Sequence, residues 1–326
     1  MPMRPLVAAA CVLLSTGQVV LAQWSERRDL PRARVRVERP ERYEPRDNEK
    51  PADTASRLPR HTSDTAGRLF GVFVGIGDYD GEDDDLEYTA DDARNFRQEL
   101  VRRAGMLADD SVLLLDGAAT RSAFRRALSG IAARASTDDL VIVFFSGHGD
   151  RVARTSAQAA DPDGFDETLT FVDGEVTDDE MNRLLEPVRA RLLLVLDACY
   201  SGGFSKDVIS APRRMGLFSS EEDVISSTAE ELRAGGYLAR FIREAVGDWR
   251  ADADRDGAIT AIELSDYLHA RYRDEVATTT ASATGRKSDD DPDVGDQHLV
   301  VDRGSVRPRD VLFHAPRYSG KATRPW

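Results

Sequence analysis

The fold is decided by the stretch Leu193-Leu194-Val195-Leu196-Asp197-Ala198-Cys199-Tyr200-Ser201-Gly202-Gly203. Its apolar half is typical of a strand buried on both faces of a sheet, and its small, polar, glycine-containing half is typical of a sharp turn. Cys199 therefore lies where a strand ends at the edge of a sheet. A thiol in this position is either reactive or an inert core residue, and its neighbours decide between the two.

Strands and helices alternate on both sides of this stretch. The apolar patterns predict strands over 69–76, 112–115, 140–145 and 192–196, and helices over 90–103, 122–135 and 178–188. Weaker patterns predict a strand over 215–219, helices over 236–246 and 261–276, and late strands over 298–301 and 311–313. This alternation predicts an α/β domain with a mainly parallel sheet and helices on both faces.

The chain divides into four segments by composition. Residues 1–22 have the parts of a secretory signal peptide: Arg4, a short apolar run and a small-residue cleavage site at Val20-Leu21-Ala22. The alternative is an uncleaved N-terminal anchor. We expect export to the periplasm or outside the cell, with no membrane span in the mature chain. The remainder is predicted as a disordered Pro/Arg-rich linker over 23–66, the folded domain over 67–315 and a flexible tail over 316–326.

Charge and cysteine content restrict the classes of function. The formal net charge of −14 argues against a general nucleic-acid binder, which needs a basic surface, and fits a cationic partner. Cys11 lies in the predicted signal peptide, so the mature chain carries one thiol and no disulfide. We expect a monomer.

A histidine follows the neighbouring predicted strand, in Ser146-Gly147-His148-Gly149. Because the carboxyl ends of parallel strands meet at one edge of a sheet, we expect His148 and Cys199 to lie close together. An imidazole beside a thiol takes its proton and activates it as a nucleophile. The amides of Gly149 and Cys199 are candidate donors to the oxyanion that follows. The alternative is a structural histidine and a core cysteine.

These two motifs resemble the catalytic pair of caspase-like cysteine peptidases, in particular the metacaspases and their bacterial relatives. In caspases the histidine precedes the cysteine by about 50 residues, as it does here. The segments Leu86–Ala93 and Asp163–Leu169 also resemble segments of that family. The resemblance implies a caspase fold and endopeptidase activity, with Cys199 as the nucleophile and His148 as the general base and then the acid.

The resemblance also implies a preference for substrates with Arg or Lys at the cleaved bond. The positions that match the acidic specificity pocket of metacaspases are Asp92 and Asp197. Two carboxylates flanking a narrow pocket bind a guanidinium well, so the expected partner is a peptide or protein with basic residues. The alternatives are a helix-start acid at Asp92 and a strand-end acid satisfied by backbone amides at Asp197. Tyr200 stands where many metacaspases have histidine.

A twelve-residue segment over 252–263 matches the calcium-binding loop of an EF-hand, with a predicted helix on each side. The candidate ligands are Asp252, Asp254, Asp256, the carbonyl of Ala258, Thr260 and Glu263. The alternative is a solvated acidic turn. A second acidic pair, Asp178 and Asp179, matches aspartates through which metacaspases are often activated by calcium, and the alternative there is helix N-capping. Calcium is the expected cofactor.

The leading hypothesis is a cysteine endopeptidase that cleaves after Arg or Lys and binds calcium. Two rival hypotheses are a non-catalytic calcium-binding or scaffold protein of the same fold, and another thiol enzyme, such as a transferase, with the same Cys–His pair. Arg213-Arg214 is either a self-processing site or an exposed basic turn.

Overall fold

A six-stranded sheet organises the protein. The computed structural model describes residues 67–81, 84–153, 165–276 and 297–315, so the predicted signal peptide, linker and tail lie outside the described residues. The strands of the central sheet are β1 (Leu69–Gly75), β2 (Ser111–Leu115), β3 (Leu140–Ser146), β7 (Arg191–Asp197), β8 (Arg214–Phe218) and β12 (Val300–Asp302). Their order is β12-β8-β7-β3-β1-β2, and every neighbouring pair is parallel except β12 with β8. The predicted mainly parallel sheet is confirmed.

Helices cover both faces of this sheet. They are α1 (Thr89–Arg103), α2 (Arg121–Ala132), α3 (Asp178–Leu185), α4 (Phe204–Val208), α5 (Tyr237–Gly247) and α6 (Ala261–Arg271). Consecutive strand residues point to opposite faces, so the sheet supplies two cores. Helices α1, α5 and α6 pack with Phe73, Phe144 and Leu193, whereas α2, α3 and α4 pack on the other face against Val72 and Phe145. The α/β architecture with helices on both faces is thus confirmed.

Three smaller sheets complete the structure. One is antiparallel and consists of β4 (Gly149–Ala153), β5 (Phe165–Phe171) and β6 (Gly174–Thr177). The other two pair β9 (Thr228–Ala229) with β10 (Ala234–Gly236), and β11 (Ala258–Thr260) with β13 (Val311–His314). Our sequence analysis assigned no strand between 149 and 177, because these short, half-exposed segments carry many polar residues and no clear alternation.

Several predicted boundaries were wrong. The helix predicted over 261–276 is α-helical only to Arg271 and continues as a π-helical turn over Tyr272–Val276. Helix α4, which follows the turn after Cys199, was not predicted because it is too short to show a helical period. Among the described residues, no helix is both long enough and apolar enough to span a bilayer.

The interpretation of Arg213-Arg214 as an exposed turn is wrong for Arg214. This residue begins β8 and is only 6% exposed. Its guanidinium donates hydrogen bonds of 2.7 Å to Asn182 Oδ1 and 2.8 Å to the carbonyl of Val208. Cleavage of the peptide bond beside it would therefore require part of the central sheet to open.

Candidate active site

The two candidate catalytic residues lie at one edge of the sheet. Strands β3 and β7 pair in parallel with Ser146 opposite Asp197, and His148 and Cys199 each follow this pair by two residues. A Cβ added to Gly149 would lie 2.2 Å from the carbonyl oxygen of Cys199. The two backbones therefore lie closer together than any residue other than glycine would allow at position 149. The expected convergence of the two strand ends is present.

The imidazole of His148 is held by two groups from the loop after β1. Its Nε2 lies 2.7 Å from the carbonyl oxygen of Asp84, and because a carbonyl only accepts, Nε2 carries the hydrogen and Nδ1 is left as an acceptor. The hydroxyl of Tyr79 accepts a 2.9 Å hydrogen bond from the backbone N–H of His148 and donates one of 3.2 Å to the carbonyl of Thr170. Burial raises the pKa of Tyr79 well above its ordinary value, so this hydroxyl keeps its proton.

Our sequence analysis missed both Tyr79 and Asp84. Asp84 contributes a backbone carbonyl, which every residue type has, so its identity carries no signal. A tyrosine just after a strand is equally common in surface loops, and nothing in the sequence places it against His148.

The thiol of Cys199 is half-buried. Its Sγ accepts a hydrogen bond of 3.3 Å from the backbone N–H of Ser226, and among the described residues no hydrogen bond joins Cys199 to His148. Burial raises the pKa of Cys199, the N–H of Ser226 opposes this, and the charges of Asp197 and Asp150 raise it further. The resting side chain is therefore a protonated thiol, which needs a base to become a nucleophile.

Asp92 and Asp197 are both buried beside this edge, at 2% and 5% exposure. Oδ2 of Asp92 accepts a 2.7 Å hydrogen bond from the N–H of Gly235, and Oδ2 of Asp197 accepts one of 2.7 Å from the N–H of Ala239. Burial, followed by repulsion from Asp197, raises the pKa of Asp92 to about 8. Burial also raises the pKa of Asp197 to about 6, although the N–H of Ala239 and the hydroxyl of Ser219 oppose it. The structure thus brings together two carboxylates, and the positive charge of Arg243 compensates Asp92 only in part, because the pKa of Asp92 remains raised.

Two glycines of β10 complete this acidic pocket, which we define by Asp92, Asp197, Gly235 and Gly236. A Cβ at Gly236 would lie 2.2 Å from Oδ1 of Asp197, and one at Gly235 would lie 3.0 Å from Oδ2 of Asp92. Oδ1 of Asp92 is buried and has no hydrogen-bond partner among the described residues. We did not predict these glycines, although a Gly-Gly pair just before a helix was visible in the sequence.

The side chains of the predicted pair Asp178 and Asp179 lie in different environments. Asp179 is exposed, whereas Asp178 is fully buried and faces the carboxylates of Asp207 and Glu167. Burial, together with these two neighbours, raises the pKa of Asp178 to about 8, and its Oδ2 has no hydrogen-bond partner among the described residues. Helix α3 is capped by Thr177, whose hydroxyl accepts a 3.1 Å hydrogen bond from the N–H of Glu180, so Asp178 is not its N-cap.

The segment 252–263 connects α5 to α6 in a helix–loop–helix arrangement. Carboxylate oxygens of Asp252, Asp254 and Asp256 all lie within 4.8 Å of one another. Gly257 takes a φ of +84°, which permits the sharp turn at the middle of the loop. A set of oxygen ligands that converges in this way fits a hard cation such as calcium.

The closing half of the loop is held by α6 and by β13. Glu263 accepts hydrogen bonds from the N–H of Ala253 (3.2 Å) and the N–H of Thr260 (2.9 Å), the latter as part of a capping box at the start of α6. Strand β11, which contains Ala258 and Thr260, pairs with β13 of the same chain. The loop 252–263 is thus held by strand pairing within the same chain.

Comparisons with known proteins show which family this site resembles. Residues 71–207 match the family model described as metacaspase, peptidase C14 domain. Over these residues the chain is similar to the caspase-like metacaspases. Metacaspase-4 of Arabidopsis thaliana is 28% identical over 183 residues, which cover 54% of this chain and 43% of that protein. Metacaspase-1A of Neurospora crassa is 30% identical over 153 residues, which cover 43% of this chain and 33% of that protein. The chain thus matches less than half the length of these relatives.

The metacaspase match includes Asp92, His148, Asp178 and Cys199, and it ends before the acidic loop 252–263. A crystal structure of a Geobacter sulfurreducens protein superposes with a TM-score of 0.51 at 17% identity, covering 75% of this chain and 99% of that chain, which shows a shared fold. Tyr200, the departure from many metacaspases, is 9% exposed and packs with its ring 5.1 Å from the guanidinium of Arg151.

Proposed function

We propose that this protein is a cysteine endopeptidase that hydrolyses peptide bonds after arginine or lysine. The observation that carries the proposal is the acidic pocket beside the nucleophile: Asp197 lies two residues before Cys199, and the buried Asp92 has an oxygen without a hydrogen-bond partner. Two buried carboxylates that Arg243 compensates only in part are costly, and a cationic side chain of the substrate would supply the missing charge.

The proposed mechanism uses His148 as the base. Because Nε2–H is bound to the carbonyl of Asp84, the thiol proton of Cys199 passes to Nδ1 while Sγ attacks the carbonyl carbon of the substrate. The imidazolium then gives this proton to the leaving amine as the C–N bond breaks, which leaves a thioester. Water, deprotonated by the same imidazole, hydrolyses the thioester and releases the new carboxyl end with regeneration of the thiol.

In this mechanism, backbone amides stabilise the oxyanion. The N–H of Thr170 donates a 3.0 Å hydrogen bond to the carbonyl of His148, and bonded and non-bonded pairs alternate along an antiparallel ladder. The N–H of the next residue, Gly149, is therefore directed away from β5. With the N–H of Cys199, it supplies two donors for the charge that develops on the substrate oxygen.

The acidic pocket favours arginine over lysine in this proposal. A guanidinium can donate to both carboxylates at once through its planar fork, whereas an ammonium presents a single compact charge. Binding of either cation also stabilises the ionised forms of Asp92 and Asp197.

We also propose two calcium sites. The loop 252–263 would hold one ion through Asp252, Asp254, Asp256, the carbonyl of Ala258, Thr260 and Glu263. Asp178 would hold a second, with Asp207 and Glu167 as further carboxylate ligands and Asp179 at its margin. Bound calcium would supply positive charge that compensates these acidic groups and fixes the loops that carry them.

The decisive experiment offers the purified protein peptides with Arg, Lys or Asp before a fluorogenic leaving group, with and without calcium. We expect cleavage after Arg and Lys that disappears in Cys199→Ala and His148→Ala, and falls at least a hundredfold in Asp197→Asn. No Cys199-dependent cleavage under any condition would support the scaffold hypothesis. Cleavage after Asp would show that Asp92 and Asp197 do not form the specificity pocket. Transfer of the acyl group to an added amine in preference to water would support a transferase.

The calcium proposals are tested by titration calorimetry. Glu263→Gln should weaken binding at the loop, and Asp178→Asn should weaken binding at the second site, while Asp266→Asn, an exposed position on α6 outside the loop, serves as the matched control. Heats that are equally absent from wild type and both variants would show that these carboxylates have a structural role only.

We further propose that residues 1–22 direct export and are removed, and that the mature protein is a monomer. These proposals rest on the N-terminal sequence and the net charge. N-terminal sequencing of the exported protein should begin at Gln23, and light scattering should give the monomer mass.

A further inference from the structure

Gln297 makes three hydrogen bonds to the segment that contacts the thiol, although it lies far from Cys199 in the sequence. Its Nε2 donates to the carbonyl of Ser219 (2.6 Å) and to Oγ of Ser226 (2.9 Å), and its Oε1 accepts from the N–H of Ser227 (2.9 Å). A carbonyl on one side and an N–H on the other fix the orientation of the amide. Gln297 is 4% exposed, so these bonds are protected from water.

The segment that Gln297 holds has no sheet of its own. Residues 219–227 connect β8 to β9 and belong to no strand, although the N–H of Ser219 still donates a 3.1 Å hydrogen bond to the carbonyl of Leu196 in β7. Besides Gln297, they are attached to the strand that carries the nucleophile: Ser219 Oγ bonds to both backbone groups of Ala198 at 3.1 Å, and the N–H of Tyr200 donates to the carbonyl of Val224 at 3.1 Å.

Ser226 joins this network to the thiol. Its hydroxyl lies between Gln297 Nε2 and Ser219 Oγ, each at 2.9 Å, and its backbone N–H donates to Cys199 Sγ at 3.3 Å. A hydrogen bond to sulfur favours the thiolate over the thiol, because the charged form is the stronger acceptor.

We propose that Gln297 is a positioning residue: it fixes Ser226 so that the backbone N–H of Ser226 stays directed at the sulfur of Cys199 and stabilises its thiolate. The inference rests on the proposed role of Cys199 as the nucleophile and assigns to the C-terminal part of the chain a share in activating it. A side chain delivered from the segment before β12 thereby connects the edge of the central sheet to the reactive thiol.

The other groups that face the thiol differ in their effect: the backbone N–H of Cys199 itself favours the thiolate, whereas the carbonyl of Ser226 accepts a 3.9 Å hydrogen bond from the protonated thiol. Asp197, at the end of β7, and Asp150, in β4, place negative charge near Cys199. His148 lies on the neighbouring strand end. The N–H of Ser226 is the larger of the two backbone N–H contributions that favour the thiolate, so its placement affects how readily Cys199 ionises.

The test measures the rate at which iodoacetamide alkylates Cys199 as a function of pH, which requires no peptidase activity. The main variant is Gln297→Met, which keeps the length of the side chain and removes its hydrogen bonds. The matched control is Gln98→Met, at an exposed position on α1. We expect the alkylation rate at neutral pH to fall about fivefold in Gln297→Met, with the midpoint of the pH profile moved upward and no change in Gln98→Met.

A second variant covers the case in which Gln297→Met does not fold. Ser226→Ala removes the hydroxyl that Gln297 holds and leaves the backbone N–H in place, and it should move the midpoint in the same direction. If folded Gln297→Met or folded Ser226→Ala keeps the wild-type midpoint, Gln297 only stabilises the fold and the inference is wrong. A shifted midpoint in a protein that cleaves no peptide would keep the inference and reject the proposed function.

Discussion

The backbone N–H of His148 donates a 2.9 Å hydrogen bond to the hydroxyl of Tyr79, and the two rings lie 4.7 Å apart between centroids. One aromatic residue thus holds both the backbone and the imidazole of the proposed base. With Nε2 bonded to the carbonyl of Asp84, the ring is oriented before any substrate arrives. Pre-orientation of this kind contributes to rate because the cost of ordering is met on folding.

Tyr79→Phe should reduce catalysis while leaving the ring contact in place. The substitution removes the acceptor for His148 N–H and the donor to Thr170, so we expect kcat/KM for an arginine peptide to fall about fivefold and stability to fall by about 1 kcal/mol. Steady-state kinetics and thermal unfolding measure the two effects. Wild-type kinetics together with the lower stability would mean that Tyr79 supports the fold and does not position the base.

Gly236→Ala should close the acidic pocket. Its Cβ would meet Oδ1 of Asp197 at 2.2 Å, so the strand or the carboxylate must shift, and we expect a loss of arginine-peptide cleavage of at least a hundredfold. The matched control is Gly130→Ala in α2, where an added Cβ meets nothing within 4 Å. That variant should keep full activity and gain about 0.5–1 kcal/mol of stability from helix propensity. An active Gly236→Ala enzyme would place the substrate side chain elsewhere.

Asp92→Asn should stabilise the protein at alkaline pH. The pKa of Asp92 is raised from its ordinary value to about 8, so between these values the folded state binds a proton that the unfolded state has lost. The stability that this group contributes is therefore present at acidic pH and is lost as the pH rises through about 8. Asparagine removes this dependence while keeping an acceptor for Gly235.

Thermal unfolding at pH 5 and pH 9 tests the direction of this pH dependence of stability. The melting temperature of Asp92→Asn should exceed that of wild type by a few degrees at pH 9 and by less at pH 5, while the exposed neighbour variant Asp91→Asn should follow the wild type. A variant that is less stable than wild type at pH 9 would mean that the charge of Arg243 outweighs the cost of burying the ionised carboxylate.

A small guanidinium or amidinium ligand should bind more tightly as the pH rises. Benzamidine is a cation, so it is attracted only to the ionised forms of Asp92 and Asp197. Their pKa values, about 8 and about 6, lie within the pH range in which binding can be measured. We expect its affinity, measured by calorimetry, to rise by up to about tenfold per pH unit between these values and then to level off. Binding should release protons, which heats in buffers of different ionisation enthalpy detect.

The same titration with Asp92→Asn provides the control. Its affinity for benzamidine should be lower at pH 9 and should level off near the pKa of Asp197. If benzamidine binds equally well at all pH values in both proteins, its site is not the acidic pocket.

Much of the fold, and the position of the candidate pair His148 and Cys199, could be predicted from the sequence because both depend on local patterns. Continuous apolar runs over 69–76, 140–145 and 192–196 can be satisfied only inside a sheet covered on both faces, so the parallel core and its strand ends follow from them. The motifs around His148 and Cys199 follow those runs directly, so the sequence predicts at which edge of the sheet the two residues lie. The spacing of Asp252, Asp254 and Asp256 likewise predicted the loop in which their carboxylates converge.

Other parts of the site were decided by tertiary structure, because they depend on backbone groups and on contacts between distant segments. Two of these contacts use backbone atoms that every residue has: the carbonyl of Asp84 and the N–H of Ser226. A third, the close approach of Gly236 to Asp197, depends on the lack of a side chain at Gly236. No residue type in the sequence therefore identifies them. The burial of Asp178, and its separation from the adjacent Asp179, depend on Asp207 and Glu167 arriving from other elements. A sequence pattern can place a residue on a strand or a turn, but the electrostatic environment of a buried carboxylate exists only once the chain has packed.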